Sequence, residues 1–380
     1  MRVSTRSQVD PFIVMDVMAA AARAEAAGRH IIHMEVGQPG TGAPKGATQA
    51  LAEAMAAGPL GYTVALGLPE LRARIARMYG EWYGVDLNPE RVVITPGSSG
   101  AFILAFTALF DTDDRVGIGA PGYPSYRQIL SALALQPVDL QTAPENRYQP
   151  VAADLEGQNL AGLMVASPAN PTGTMLDKPA MAALIDAVQG QGGSFISDEI
   201  YHGIEYHKKA VTALEISDDL YIINSFSKYF SMTGWRVGWM VVPEDHVRVV
   251  ERLAQNMFIC APHAAQVAAL AAMDCEDELQ GNMTVYHANR DLMIAGLKDA
   301  GFTDIAPPDG AFYVYADVSK ITDDSRSFAA EVLEKAGVSV TPGLDFDPVR
   351  GHQTLRFSYA RSTADIEEGL ARLKAFMAAR

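Results

Sequence analysis

The sequence predicts an α/β protein: a large domain at 46–285, built on a mostly parallel sheet flanked by helices, and a smaller α+β domain made from both termini, 1–45 and 286–380. Three observations predict it. Through the middle of the chain, short and near-continuous apolar runs alternate with amphipathic stretches of helix length, which is how strands covered on both faces read. From about Gly301 onward the rhythm changes to short strands and one capped helix. With 380 residues, 49% of them hydrophobic, the chain also has enough apolar surface for a large core and a second domain.

The elements follow in order. Leu71, Ile75, Met78, Tyr79 and Trp82 share one helical face behind Pro69. Arg91 to Thr95 reads as a strand, and the cluster Pro96-Gly97-Ser98-Ser99-Gly100 separates it from a helix carrying Phe102, Ile103, Phe106, Leu109 and Phe110. Val116 to Ala120 and Ala161 to Ala166 are further strands, the latter ending in Ser167-Pro168-Ala169-Asn170-Pro171-Thr172-Gly173. Asp177 and Pro179 open a helix that stops at Gly190 and buries Met181, Leu184, Ile185 and Val188. Strands at Ser194 to Ser197 and Leu220 to Asn224 complete the large domain. The terminal section adds strands at Phe312 to Ala316 and Thr354 to Tyr359, then a helix capped by Ser362 with Asp365 three residues on. Residues 1–45 precede the alternating region and are expected to join this smaller domain.

Charge excludes some partners. A formal net charge of -15 leaves no basic field for nucleic acid or an anionic membrane, and His207-Lys208-Lys209 is too short a cluster to supply one. No run approaches the roughly 18 uninterrupted apolar residues of a membrane span. Asp10, Pro11, Asp16 and Arg23 interrupt the Ala-rich beginning, so no secretory leader is expected there. Cys260 and Cys275 lack the spacing of a metal site or a disulfide framework, which points to a reducing, cytoplasmic compartment.

The chemistry-bearing clusters nearly all follow an apolar strand, and in open parallel sheets ligands bind just beyond the carboxyl ends of the strands. Gly97-Ser98-Ser99-Gly100, between strand and helix, offers free N–H groups and two hydroxyls to an anion; an ordinary Gly/Ser turn is the alternative. Arg236, eight residues after Lys228, adds a bidentate donor for a phosphoryl group. Asp198 ends a buried strand, as a structural ion pair, a helix cap or the partner of a protonated ring nitrogen. Lys228 is the one of nine lysines set among hydroxyls and aromatics, in Ser225-Phe226-Ser227-Lys228-Tyr229-Phe230-Ser231. Partial desolvation beyond a buried strand would lower its pKa and make it a nucleophile toward a carbonyl.

With these residues in view, the sequence resembles the class I/II aminotransferases of the fold-type I pyridoxal-phosphate enzymes over essentially its whole length. The resemblance rests on ordered motifs: Asn170-Pro171-Thr172-Gly173, then Asp198 and Tyr201, then Ser225-Phe226-Ser227-Lys228 with Arg236, then Arg356 in Leu355-Arg356-Phe357-Ser358. It implies pyridoxal 5'-phosphate held as a Schiff base on Lys228, whose amine also shuttles the proton at Cα. It implies Asp198 at the pyridine nitrogen, Asn170 and Tyr201 at the ring oxygen, and Tyr123 stacked on the ring. Phosphate ligation falls to Ser98, Ser99, Ser225 and Arg236, with Tyr62 reaching across from a second subunit of a homodimer, and Gly100 and Ser227 also belong to the implied cofactor site. Arg356, assisted by Gly37 and Asn170, clamps the substrate α-carboxylate. The implied activity is ping-pong transfer of an amino group from an L-amino acid to a 2-oxo acid. Some aspartate aminotransferases of this group read the distal carboxylate with a lysine whose matching position here is Ser99, so that reader is missing.

Other readings are weaker. Gly117-Ile118-Gly119-Ala120-Pro121-Gly122 formally fits a dinucleotide-binding fingerprint, but its first glycines fall within a strand and Pro121 and Pro124 disfavour the helix that should open there. Gly97-Ser98-Ser99-Gly100 is not the nucleophile elbow of a serine hydrolase. His202, Glu205 and His207 do not share a helical face, so no metal is expected. The alternative that uses the same residues is a carbon-sulfur β-lyase, because the cofactor carries the hard chemistry.

Overall fold

The computed structural model describes residues 1–380. Its strands are β1 Ile32–His33, β2 Val92–Thr95, β3 Arg115–Ala120, β4 Gln136–Gln141, β5 Gly162–Ala166, β6 Ser194–Asp198, β7 Tyr221–Ser225, β8 Gly238–Val241, β9 Asp304–Ala306, β10 Tyr313–Asp317, β11 Val338–Ser339, β12 Thr341–Pro342 and β13 Thr354–Ser358, of which β2, β3, β5, β6, β7, β10 and β13 lie on the expected runs. The helices are α1 Ile13–Ala26, α2 Lys45–Ala57, α3 Pro69–Tyr83, α4 Gly97–Leu109, α5 Pro124–Ala132, α6 Lys178–Gln189, α7 Val247–Met257, α8 His263–Ala272, α9 Glu276–Asp299, α10 Ser325–Ala336 and α11 Thr363–Ala378.

Seven strands form one sheet in the order β2-β8-β7-β6-β5-β3-β4, in which only β8 runs against the others. Side chains alternate across it as the two-residue period of a strand requires. Leu163, Val165, Ile222 and Val241 enter one core layer, while Met164, Ile196, Ile223 and Met240 enter the other with Phe102 and Phe106 of α4. Burial on both faces explains why these strands are unbroken apolar runs. The short basic cluster His207-Lys208-Lys209 is exposed.

A second, antiparallel sheet runs β12-β13-β10-β9, and β1 pairs in parallel with β11, so the chain's beginning is tied to its end. In this sheet Tyr315 faces Arg356 across the β10–β13 ladder. The Ser362 hydroxyl accepts the Asp365 N–H at 3.2 Å and caps α11. One expectation is corrected: a helix does open at Pro124, because proline at the first helical position lacks only an N–H that would have no partner there. The fingerprint reading still fails, since Gly117 and Gly119 lie inside β3. α9 runs unbroken across residues 285 and 286.

Candidate active site

Just beyond the carboxyl ends of β2, β5, β6 and β7 lies a cavity of about 190 Å³. It is lined by Ser98, Ser99, Tyr123, Asn170, Asp198, Tyr201, Ser227, Lys228 and Arg236 from the large sheet's loops, and by Gly37 and Arg356 from the small-sheet side. Three expected residues lie elsewhere. Gly100 is one turn into α4, where a Cβ would press on the Pro96 ring. Ser225 sits behind the wall, its hydroxyl accepting the Ser227 N–H at 3.0 Å. Tyr62 projects outward, 82% exposed.

At one end the cavity is built for an anion. α4 starts at Gly97 without a side-chain cap, leaving its first N–H groups available. Gly97 has φ of 71°, and a Cβ there would strike the Arg236 guanidinium, so a cation lies directly over the turn. Arg236 is braced by Nη1 donating to the Thr233 carbonyl at 2.9 Å.

In the middle stand an acid and an amine. Asp198 ends β6, 2% exposed, and accepts the Tyr126 hydroxyl and the Ile200 N–H, the latter at 3.0 Å. Burial pushes its carboxyl up from 3.8 to about 6, opposed by Tyr126, Ile200 and the charge of Lys228. Lys228 Nζ donates to the Gly37 carbonyl at 2.6 Å and lies 5.6 Å from the Tyr201 ring centre. Although part of its surface meets the cavity, protein surrounds it. That loss of water, followed by the Arg356 charge, lowers its pKa from 10.5 to about 7, with Asp198 pulling the other way.

The far end holds a rigid cation. Arg356 is 3% exposed between the rings of Tyr313 and Phe346, whose centres lie 4.5 and 4.7 Å from its Cζ. Nη1 donates to Asn170 Oδ1 at 2.9 Å, and Nη2 donates to the Glu35 carbonyl and, at 3.3 Å, to Thr341 Oγ1. Its buried Nε has no partner within the chain. Tyr313 also meets the Tyr201 hydroxyl at 2.7 Å, and a Cβ on Gly37 would collide with its phenol oxygen.

Sequence reasoning missed Tyr126, Tyr313 and the apolar wall of Phe12, Val14, Met15 and Met18. Tyr126 had a signal, since it lies three residues after Tyr123 in what proves to be a helix turn and so shares its side. The others are brought in from distant segments.

The family model for aminotransferase class I and II matches residues 29–373. The chain is 45% identical, over 99% of its length and 98% of the relative's, to a valine–pyruvate aminotransferase of Mycobacterium tuberculosis. A crystal structure of an aminotransferase from Mycobacterium tuberculosis superposes with TM-score 0.98 at 44% identity, covering all of both chains. That of an aminotransferase candidate from Silicibacter pomeroyi gives 0.96 at 76% identity, again covering all of both. None of these names supports the carbon-sulfur lyase alternative. The family model over nearly the whole chain, and relatives similar along their full length, show that this chain belongs to the class I and II aminotransferases, the pyridoxal-phosphate-dependent transaminases.

Proposed function

We propose that the cavity holds pyridoxal phosphate on Lys228 and that the enzyme moves the amino group of a small aliphatic L-amino acid to a 2-oxo acid such as pyruvate. The observation that carries this reading is the Lys228 amine, lowered to about 7 in a cavity that also presents Asp198 and Arg356. The residues present fit the cofactor. The Arg236 guanidinium lies against Gly97 at the uncapped start of α4, Asp198 is buried without a cation bonded to it, and Arg356 Nε is unpaired. When bound, pyridoxal phosphate supplies an aldehyde for an amine to condense with and a protonated ring that accepts the electron pair left at Cα.

The chain's own residues do the rest. Ser98, Ser99, Ser227 and Arg236 hold the phosphate, with Gly100 and Ser225 shaping the backbone behind them. Asp198 keeps the ring nitrogen protonated, held in place by Tyr126. Tyr123 covers one ring face, while Asn170 and Tyr201 hydrogen-bond the ring oxygen. Arg356 receives the α-carboxylate beside Gly37 and Asn170, so that Cα lies within reach of Lys228. Near neutral pH a large share of that amine is uncharged, and it takes the proton from Cα and returns it as general base and acid.

Two observations support an aliphatic donor. The cations this chain places around the cavity are Lys228, Arg236 and Arg356, each with a role already, so the chain itself offers none to a distal carboxylate. The side-chain region is walled by Phe12, Val14, Met15 and Met18, and the 45% identical relative carries a valine–pyruvate name. Kinetics with L-valine, L-alanine and L-aspartate against pyruvate or 2-oxoglutarate test the reading; a wild-type enzyme that uses aspartate and neither aliphatic donor would end it.

We further propose a homodimer with shared sites. Tyr62, Val64 and Ile259 are exposed at 82%, 59% and 51%, and His263 Nδ1 lies 2.8 Å from the Gly61 carbonyl beside Tyr62. Such an apolar surface suits a partner subunit, into whose cavity Tyr62 extends. The free thiols of Cys260 and Cys275 favour a reducing, cytoplasmic compartment. The division into 46–285 and 1–45 with 286–380 is supported by the β1–β11 pairing that joins the termini. No helix is long and apolar enough to cross a membrane.

A further inference from the structure

One short turn, Gly343–Asp345 with Phe346 behind it, touches three sides of the cavity wall. The Asp345 carboxylate accepts the N–H of Ile13 at 2.9 Å through Oδ1 and the N–H of Val14 at 3.1 Å through Oδ2. It thereby caps α1, whose own N-cap residue, Phe12, makes no side-chain cap. The Phe346 ring lies 4.7 Å from Arg356 Cζ, and its carbonyl accepts the Gly122 N–H at 3.0 Å, next to Tyr123. Phe12 in turn meets the Tyr123 ring edge-on, with centres 5.8 Å apart.

We propose that Asp345 is a positioning residue for substrate selectivity: by seating the first turn of α1 against the turn that braces Arg356, it sets the gap between the carboxylate clamp and the apolar wall. The inference rests on the aliphatic-donor reading above. An amino acid bound through its α-carboxylate has a side chain of fixed reach, so the position of Phe12, Met15 and Met18 relative to Arg356 decides which side chains fill the space. Asp345 does not itself line the cavity, and acts only through α1. An ionised carboxylate is the side chain suited to this place, because both oxygens accept and neither donates. An asparagine keeps one acceptor and turns an N–H toward an N–H; at a site 5% exposed that leaves a donor without a partner and frees the start of the helix.

A displaced wall loses contacts that, in an apolar enzyme pocket, discriminate roughly 10- to 200-fold per methylene. The test uses holoenzyme in single turnovers without an oxo acid, giving rate and apparent affinity for L-valine and L-alanine. Asp345→Asn lowers the valine-to-alanine ratio of rate over affinity at least tenfold, mostly through affinity. Cofactor affinity stays within about threefold, and the amides of residues 13–18 exchange hydrogen faster. Phe12→Ala, which leaves the cap in place, lowers the same ratio without faster exchange. If Asp345→Asn speeds that exchange but leaves the ratio unchanged, the inference is overturned; an unchanged ratio in Phe12→Ala overturns it too. The donor reading stands or falls separately, on whether the wild-type enzyme turns over either aliphatic donor.

Discussion

The pKa of the Lys228 amine is lowered by its surroundings: lost water first, then the positive field of Arg356, partly offset by Asp198. Lys228→Ala is expected to abolish transamination while pyridoxal phosphate still binds through the phosphate and ring contacts, which turnover assays paired with cofactor fluorescence will separate. Tyr126→Phe removes one of the two donors to Asp198 and so favours its protonated form. Its carboxyl then rises further above about 6, and the acid limb of the half-reaction's pH profile moves to higher pH. Gly37→Ala forces Tyr313 away from Tyr201 and Arg356, and is expected to raise the KM for amino acids at least tenfold, more than it lowers kcat. Lys228 and Asp198 stood out in their local sequence, whereas Arg356 stood out only through the resemblance. Tyr313 did not, because its partners Gly37, Tyr201 and Arg356 reach it only through folding, and as a β10 residue it reads as one more apolar strand position.

Among the elements, α4 carries the proposed anion cradle in its uncapped start and Gly97. Gly97→Ala is expected to weaken pyridoxal-phosphate affinity at least tenfold by fluorescence titration, because a Cβ strains the left-handed backbone and meets Arg236. Ser362→Ala, at the other end of the chain, loses only the α11 cap and should cost about 1 kcal/mol in denaturant unfolding without touching activity. Strands β2, β3, β5, β6 and β7 were legible because burial makes their runs largely apolar, whereas β8, equally buried, was not read from the sequence. β4 was not, since this edge strand carries Pro137 and Asp139 and buries little. α5 was misjudged because its proline was weighed as a helix breaker rather than as a first residue.

At the scale of the whole molecule, the order of motifs along the chain foretold that they meet, because parallel strands deliver their carboxyl ends to one crevice. What that order did not foretell is the side-chain wall, which comes from the beginning of the chain and is capped from position 345. Just past β6 a second acid, Glu199, is buried, and burial pushes its carboxyl up from 4.5 to about 8. The folded state keeps that proton where the unfolded chain has lost it, so this stabilising contribution is whole below about 4.5 and is lost as pH rises through 8. Glu199→Gln should therefore flatten the decline of Tm across that window. The most direct test of the central claim is a half-reaction: holoenzyme mixed with excess L-valine and no oxo acid. One equivalent of 2-oxo acid per active site, followed by arrest until a second 2-oxo acid is added, is the predicted result; continuous release of ammonia, or no oxo acid from any amino acid offered, would contradict it.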